Sequence, residues 1–120
     1  MVNVNASQSK AIQIFNQILS ILRDAEDKYW LDWTVEQIKK LEKAFAIEDR
    51  KEQLTVIQET MTYLLGGQGS FSDLYLCKEN GHKVKNEKQA SKNLSSLQNK
   101  LYVELEQLKF ILENYSDGQN

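Results

Sequence analysis

Between Ser7 and Asp27 apolar side chains recur at steps of three and four, at Ala11, Phe15, Ile18, Leu22 and Ala25, with Ile12 and Leu19 widening the stripe. That period predicts an amphipathic helix over about 7 to 27. Ile14 and Ile21 fall off its centre, so the helix is either covered on more than one side or carries an exposed apolar strip. The segment Tyr29-Trp30-Leu31-Asp32-Trp33 interrupts the period. Thr34 and Gln37 then have the spacing of a capping box, a hydroxyl for the free amides and an amide reaching back. They predict a second helix from 34 to 46 that buries Ile38, Leu41 and Phe45. Asp49 and Glu52 repeat the capping logic ahead of Leu54, Ile57, Met61, Leu64 and Leu65, a third helix that stops at the pair Gly66-Gly67. Residues 66 to 86 have no helical period. There Leu74-Tyr75-Leu76 fits a short strand or one helical turn, and Glu79-Asn80-Gly81 fits a turn. The longest pattern runs from Asn86 or Glu87 through Ala90, Leu94, Leu97, Leu101, Leu105, Leu108 and Leu112 to Tyr115, flanked by Val103 and Ile111. Such a helix is about 40 Å long, so one of its ends projects or lies under the loop.

Short links between the first three helices imply an all-α, four-helix antiparallel bundle, with an irregular Gly-rich loop between helices 3 and 4. A length of 120 residues sets one domain spanning 1–120, with 1–6 and 116–120 expected as disordered tails. The chain has no proline, which removes the commonest helix breaker. Fifteen Lys and Arg against 17 Asp and Glu leave a net charge of −2, so no global basic field exists to hold nucleic acid or an anionic membrane. No apolar run reaches the roughly 18 residues of a membrane span, and no charged-then-apolar leader opens the sequence, so a cytoplasmic protein is expected. Charge is uneven all the same. Lys78, Lys83, Lys85, Lys88, Lys92 and Lys100 make the middle segment basic, while Asp24, Glu26, Asp27 and Asp32 concentrate acid at the first helix junction. Each cluster is more often a solvated face than a docking site, but the acidic one is a complement for a basic partner.

Candidate chemistry is sparse. A lone cysteine, Cys77, makes no intramolecular disulfide, and with a single histidine, His82, it makes no zinc site. Five residues apart on a loop, the two resemble a nucleophile and base, yet no orienting group or oxyanion hole accompanies them. A buried thiol and a surface histidine are the expectation. Gly66-Gly67-Gln68-Gly69-Ser70 follows the C-terminal, electronegative end of a helix and lacks Gly-Lys-Ser/Thr or dinucleotide spacing, so it reads as a helix stop and not a phosphate loop. No calcium loop, Glu-x-x-His pair or His-Glu-x-x-His helix is present. No enzyme activity, cofactor or metal is therefore expected. Tyr29, Trp30 and Trp33 form the dense aromatic group, read first as core and second as a binding anchor. The leucine series of the last helix is read first as core and second as a dimer seam.

At 66–74 the string Gly-Gly-Gln-Gly-Ser-Phe-Ser-Asp-Leu resembles the signature of a small bacterial domain family in which a helix ends in Gly-Gly-x-Gly-Ser-Phe-x-Asp-Leu, followed by a polar turn and a last helix. The likeness covers about 60 residues, from the third helix onward. Small domains of this kind resemble immunity proteins of bacterial toxin systems, including contact-dependent growth inhibition. The resemblance implies a stoichiometric inhibitor that occludes the active site or substrate surface of a toxin. It assigns Gly66, Gly67, Gly69, Ser70, Phe71, Asp73 and Leu74 a structural role, with Asp73 or Ser70 capping amides and Phe71 anchoring the loop.

Together these readings predict an immunity protein that binds one cognate toxin domain, of nuclease type, one to one. The expected contacts are acidic and aromatic residues around the first two helix junctions: Asp24, Asp27, Trp30, Asp32 and Trp33, with Glu48, Asp49 and Glu52. A self-associating helical adaptor, dimeric through the 94–115 leucine face, is the alternative; a small hydrolase using Cys77 and His82 ranks third.

Overall fold

The structure is a computed structural model that describes residues 4–65 and 70–114. Four helices make an all-α bundle: α1 (Val4–Ala25), α2 (Lys28–Ile47), α3 (Arg50–Leu65) and α4 (Glu87–Asn114). Helix α1 lies against α2 and α4, and α3 lies against the same two helices, so each occupies one corner of a square. At one end Arg50, at the start of α3, donates to the carbonyl oxygen of Leu112, near the end of α4, at 3.0 Å. At the other end the 70–86 segment crosses from α3 to α4 over the α1–α2 junction. Neighbouring helices are therefore antiparallel.

The core is the set of stripes seen in the sequence. Phe15, Ile18, Leu22, Leu41, Ile57, Leu64, Leu94, Leu101, Leu105 and Leu108 are fully buried. Ile14 is buried too, and Ile21 packs against the same cluster. A helix held on two sides, by α2 and α4, has a use for apolar residues on both flanks of its stripe. The leucine face of α4 is enclosed in the same way, with Leu94, Leu101, Leu105 and Leu108 spent on the core of the chain itself. Tyr115, the last member of that series, lies outside the described residues.

Three boundaries differ from the periodic reading. Helix α1 begins at Val4, so residues 4–6 are helical and not part of a tail. Helix α2 begins at Lys28, six residues before the expected start, because Asp27 is its N-cap and accepts from the Trp30 N–H at 2.9 Å. Thr34 and Gln37 thus form no capping box. Both are buried inside α2, where Gln37 Oε1 accepts from the Thr60 hydroxyl at 2.9 Å. Asp49 does cap α3, accepting from the Glu52 N–H at 3.1 Å. Leu74-Tyr75-Leu76 is neither strand nor helical turn but extended chain between two single 3-10 turns, Phe71–Asp73 and Lys78–Asn80. Gly81 closes the second turn at φ 87, a left-handed geometry that glycine adopts without a Cβ clash.

Candidate functional site

The crossover loop is fastened to the bundle by directional bonds. Phe71 is fully buried; its ring stacks on Trp30 with centroids 4.7 Å apart and lies 5.2 Å from Trp33. The Phe71 carbonyl accepts from Gln98 Nε2 of α4 at 2.9 Å. Further on, the Leu76 N–H donates to Ser91 Oγ at 2.9 Å and the Lys78 N–H to Glu87 Oε2 at 2.8 Å, both on α4. The Lys83 N–H donates to the carbonyl of Ala25, the last residue of α1, at 2.9 Å. The N-terminal half of the long α4 therefore lies under the loop.

His82 is the main correction to the loop. It is 8% exposed, not a surface residue. Its Nδ1 accepts from the Cys77 N–H at 3.1 Å, and its Nε2 lies 2.7 Å from Asp27 Oδ2. An accepting Nδ1 leaves the proton on Nε2, so the neutral ring donates to the carboxylate. Cys77 is buried as expected, but its thiol is not part of this arrangement. The contact between the two residues runs through the backbone amide, and a nucleophile–base pair is not what the imidazole forms.

The acidic candidates separate once placed. Asp27 is structural, since one oxygen caps α2 and the other holds His82. Glu26 pairs with Lys83 at 3.8 Å and Asp32 with Lys28 at 3.7 Å, both in exposed positions. Much of the acid at the first junction thus already faces cations or the imidazole of its own chain. Asp24 is exposed on the rim of a cavity between the end of α1, the loop and the start of α4. Glu48, Asp49 and Glu52 sit at the other end of α2, about 30 Å away at 1.5 Å per helical residue. They do not form one patch with the first group. Glu48 ends α2 at φ 55, its N–H donating to the Phe45 carbonyl. Of the motif residues, Gly66, Gly67 and Gly69 lie outside the described residues. Phe71 anchors the loop as expected, Leu74 packs against the core, and Asp73 closes the first 3-10 turn. Ser70 makes no side-chain cap bond, and its hydroxyl lies 3.0 Å from that of Ser72.

A different combination emerges on the outer surface between α2 and α3. Tyr29, Asp32, Trp33, Glu36 and Lys40 recur at helical steps on one face of α2, and Glu59 and Tyr63 face them from α3; together they line a shallow groove. Tyr29 is 73% exposed and Tyr63 50%. Trp33 is half-buried, with Tyr63 at 5.9 Å and Trp30 at 5.4 Å, so its indole is fixed from behind while one edge reaches the groove. Three carboxylates and one ammonium line the site, and the ammonium of Lys40 already pairs with Glu59 at 3.3 Å. Glu36 is exposed and makes no ion pair among the described residues. The sequence reading named Asp32 and Trp33 but missed Glu36, Glu59 and Tyr63. The i, i+3, i+4, i+7 spacing of Tyr29, Asp32, Trp33 and Glu36 was the available signal; the α3 half required knowing which helix lies beside α2.

Among the described residues no group of three or more His, Cys, Asp or Glu is placed to hold a metal ion. No helix among them is long and apolar enough to cross a membrane. No protein-family model, curated protein or solved structure matches the chain.

Proposed function

We propose that this chain is an immunity-type inhibitor that binds a bacterial toxin domain of nuclease type, one to one, and covers its active site or substrate surface. The observation that carries the reading is the α2–α3 groove, where exposed Tyr29 and Tyr63 flank a rigid Trp33 beneath the carboxylates of Asp32, Glu36 and Glu59. Aromatic side chains with a polar tip are the residues that dominate binding energy when an interface closes over them. Nucleases that act on a polyanion present basic surfaces, and an acidic rim speeds encounter with such a surface. An interface of standard size takes about 800 Å² from each partner, so the outer faces of α2 and α3 around the groove would join it in the contact. The likeness of the 66–74 motif to small domains of the immunity type points the same way, with its Phe71 packed against Trp30 and Trp33.

The test is affinity capture of the tagged protein with its native partner, followed by assay of that partner. The reading expects a toxin domain recovered in equal amount, whose nuclease activity falls to background at one equivalent of inhibitor. Recovery of a partner without toxic activity, or a toxin left active at excess inhibitor, would overturn it.

A further inference from the structure

We infer that the α2–α3 groove receives an arginine side chain of its partner, with the guanidinium against the Tyr29, Trp33 and Tyr63 rings and within reach of the Glu36 and Asp32 carboxylates. This deepens the reading above and rests on it for the identity of the face. Charge sets the class of occupant: of the three carboxylates in the lining, Glu59 pairs with Lys40 and Asp32 with the neighbouring Lys28, while Glu36 makes no ion pair among the described residues, which leaves the lining net acidic. An acidic peptide or a nucleic-acid phosphate meets repulsion there, and a purely apolar side chain leaves Glu36 facing it with no partner.

The rings select among cations. Tyr63 meets Trp33 in an edge contact, with centroids 5.9 Å apart at an interplanar angle of 64°, and is 50% exposed, so its solvent side is the ring surface a flat group can reach. A planar guanidinium can stack on an aromatic face while donating in its own plane to two carboxylates, which a compact ammonium cannot do. Trp33 cannot swing away to reshape the site, because Phe15, Trp30 and Phe71 all lie against it, with centroids 6.5, 5.4 and 5.2 Å away. In a second copy of this chain Arg50 is engaged with the Leu112 carbonyl, while Arg23 is exposed, so self-association is an outcome that the test separates.

The probes are three blocked tripeptides, acetyl-Gly-Xaa-Gly-amide with arginine, lysine or citrulline in the middle, titrated into isotopically labelled protein and followed by amide and indole NMR shifts. The expected result is saturable shifts confined to 29–36, 59–63 and the Trp33 indole with the arginine probe. Lysine should bind more weakly, and citrulline, which keeps the shape and loses the charge, about tenfold more weakly. Glu36→Gln combined with Tyr63→Ala should abolish the shifts without moving the urea midpoint by more than the two single exposed substitutions do. Equal binding of citrulline and arginine, shifts elsewhere on the bundle, or none at all would overturn the inference. So would shifts of the same resonances on concentrating the protein alone, which would make a second copy the occupant. If the peptides fail while the double variant still loses the captured toxin, the arginine assignment falls and the face stands. If the peptides bind at the groove while the double variant inhibits the toxin as the parent does, the arginine site stands and the inhibitory reading of this face falls.

Discussion

The Nε2 of His82 lies 2.7 Å from Oδ2 of Asp27, while the other oxygen of the same carboxylate caps α2 by accepting from the Trp30 amide at 2.9 Å. One short acidic side chain therefore ends the turn between two helices and holds the loop that closes the bundle. Both members are nearly excluded from water, with side chains 5% and 10% exposed, so a broken partnership leaves a polar group with little solvent to replace it. His82→Ala should lower stability by about 2 kcal/mol and Asp27→Ala by about 3, the latter adding a lost helix cap. The double variant should be less destabilised than the sum, by about 1 kcal/mol or more. Urea unfolding with an unchanged m-value is the measurement; strict additivity would mean that the two side chains act independently.

Phe71 is the apolar counterpart of that latch. Its ring fills the space between Trp30, Trp33 and the end of α3, and its carbonyl is held by Gln98. Phe71→Ala should cost about 3 to 5 kcal/mol, and the tryptophans should lose their near-ultraviolet circular dichroism before the helices melt. A variant as stable as the parent would mean that the loop does not brace the aromatic cluster.

Thr34 and Thr60 are both fully buried, yet their hydroxyls differ. Thr60 Oγ1 lies 2.8 Å from the Val56 carbonyl oxygen and 2.9 Å from Gln37 Oε1 and shares its one proton between them, whereas Thr34 Oγ1 has no partner among the described residues. Thr34→Val should raise stability by about 1 kcal/mol by removing an unsatisfied hydroxyl, and Thr60→Val should lower it by about 1 to 2 by orphaning the Gln37 carbonyl oxygen. The opposite signs are the prediction, read as a rise and a fall in Tm.

Glu48 occupies a left-handed backbone position, φ 55, at the end of α2. Glu48→Gly should stabilise the protein by about 1 kcal/mol, since glycine takes that geometry without a Cβ penalty. A loss of stability on this substitution would point to a contact of the Glu48 side chain that outweighs the strain.

How far the chain could be read in advance follows from these same residues. The core stripes were legible because a two-sided helix and its leucines obey a period that survives without any tertiary knowledge. The break between α1 and α2 was not, because it is made at Glu26, φ 59, a residue that carries no turn signal, and followed at once by an N-cap. Trp30 and Trp33 then look like an interruption when they lie in the first two turns of a helix. His82 was misplaced for a related reason: its burial depends on Asp27, 55 residues away, and local polarity alone argued for the surface. The groove was half legible, since helical spacing joins Tyr29 to Glu36 but nothing in the sequence says that Glu59 and Tyr63 stand opposite.

Whether the α2–α3 face carries the proposed inhibition is read in the dissociation constant of the captured toxin domain for parent, Tyr63→Ala, and Asp32→Asn with Glu36→Gln, at low and high salt. Tyr63→Ala should weaken binding by about 2 kcal/mol, roughly thirtyfold, and the charge-neutralised protein should bind more weakly at low salt and lose much of its salt dependence. Unchanged affinity in both variants, with the salt dependence intact, would contradict the proposal.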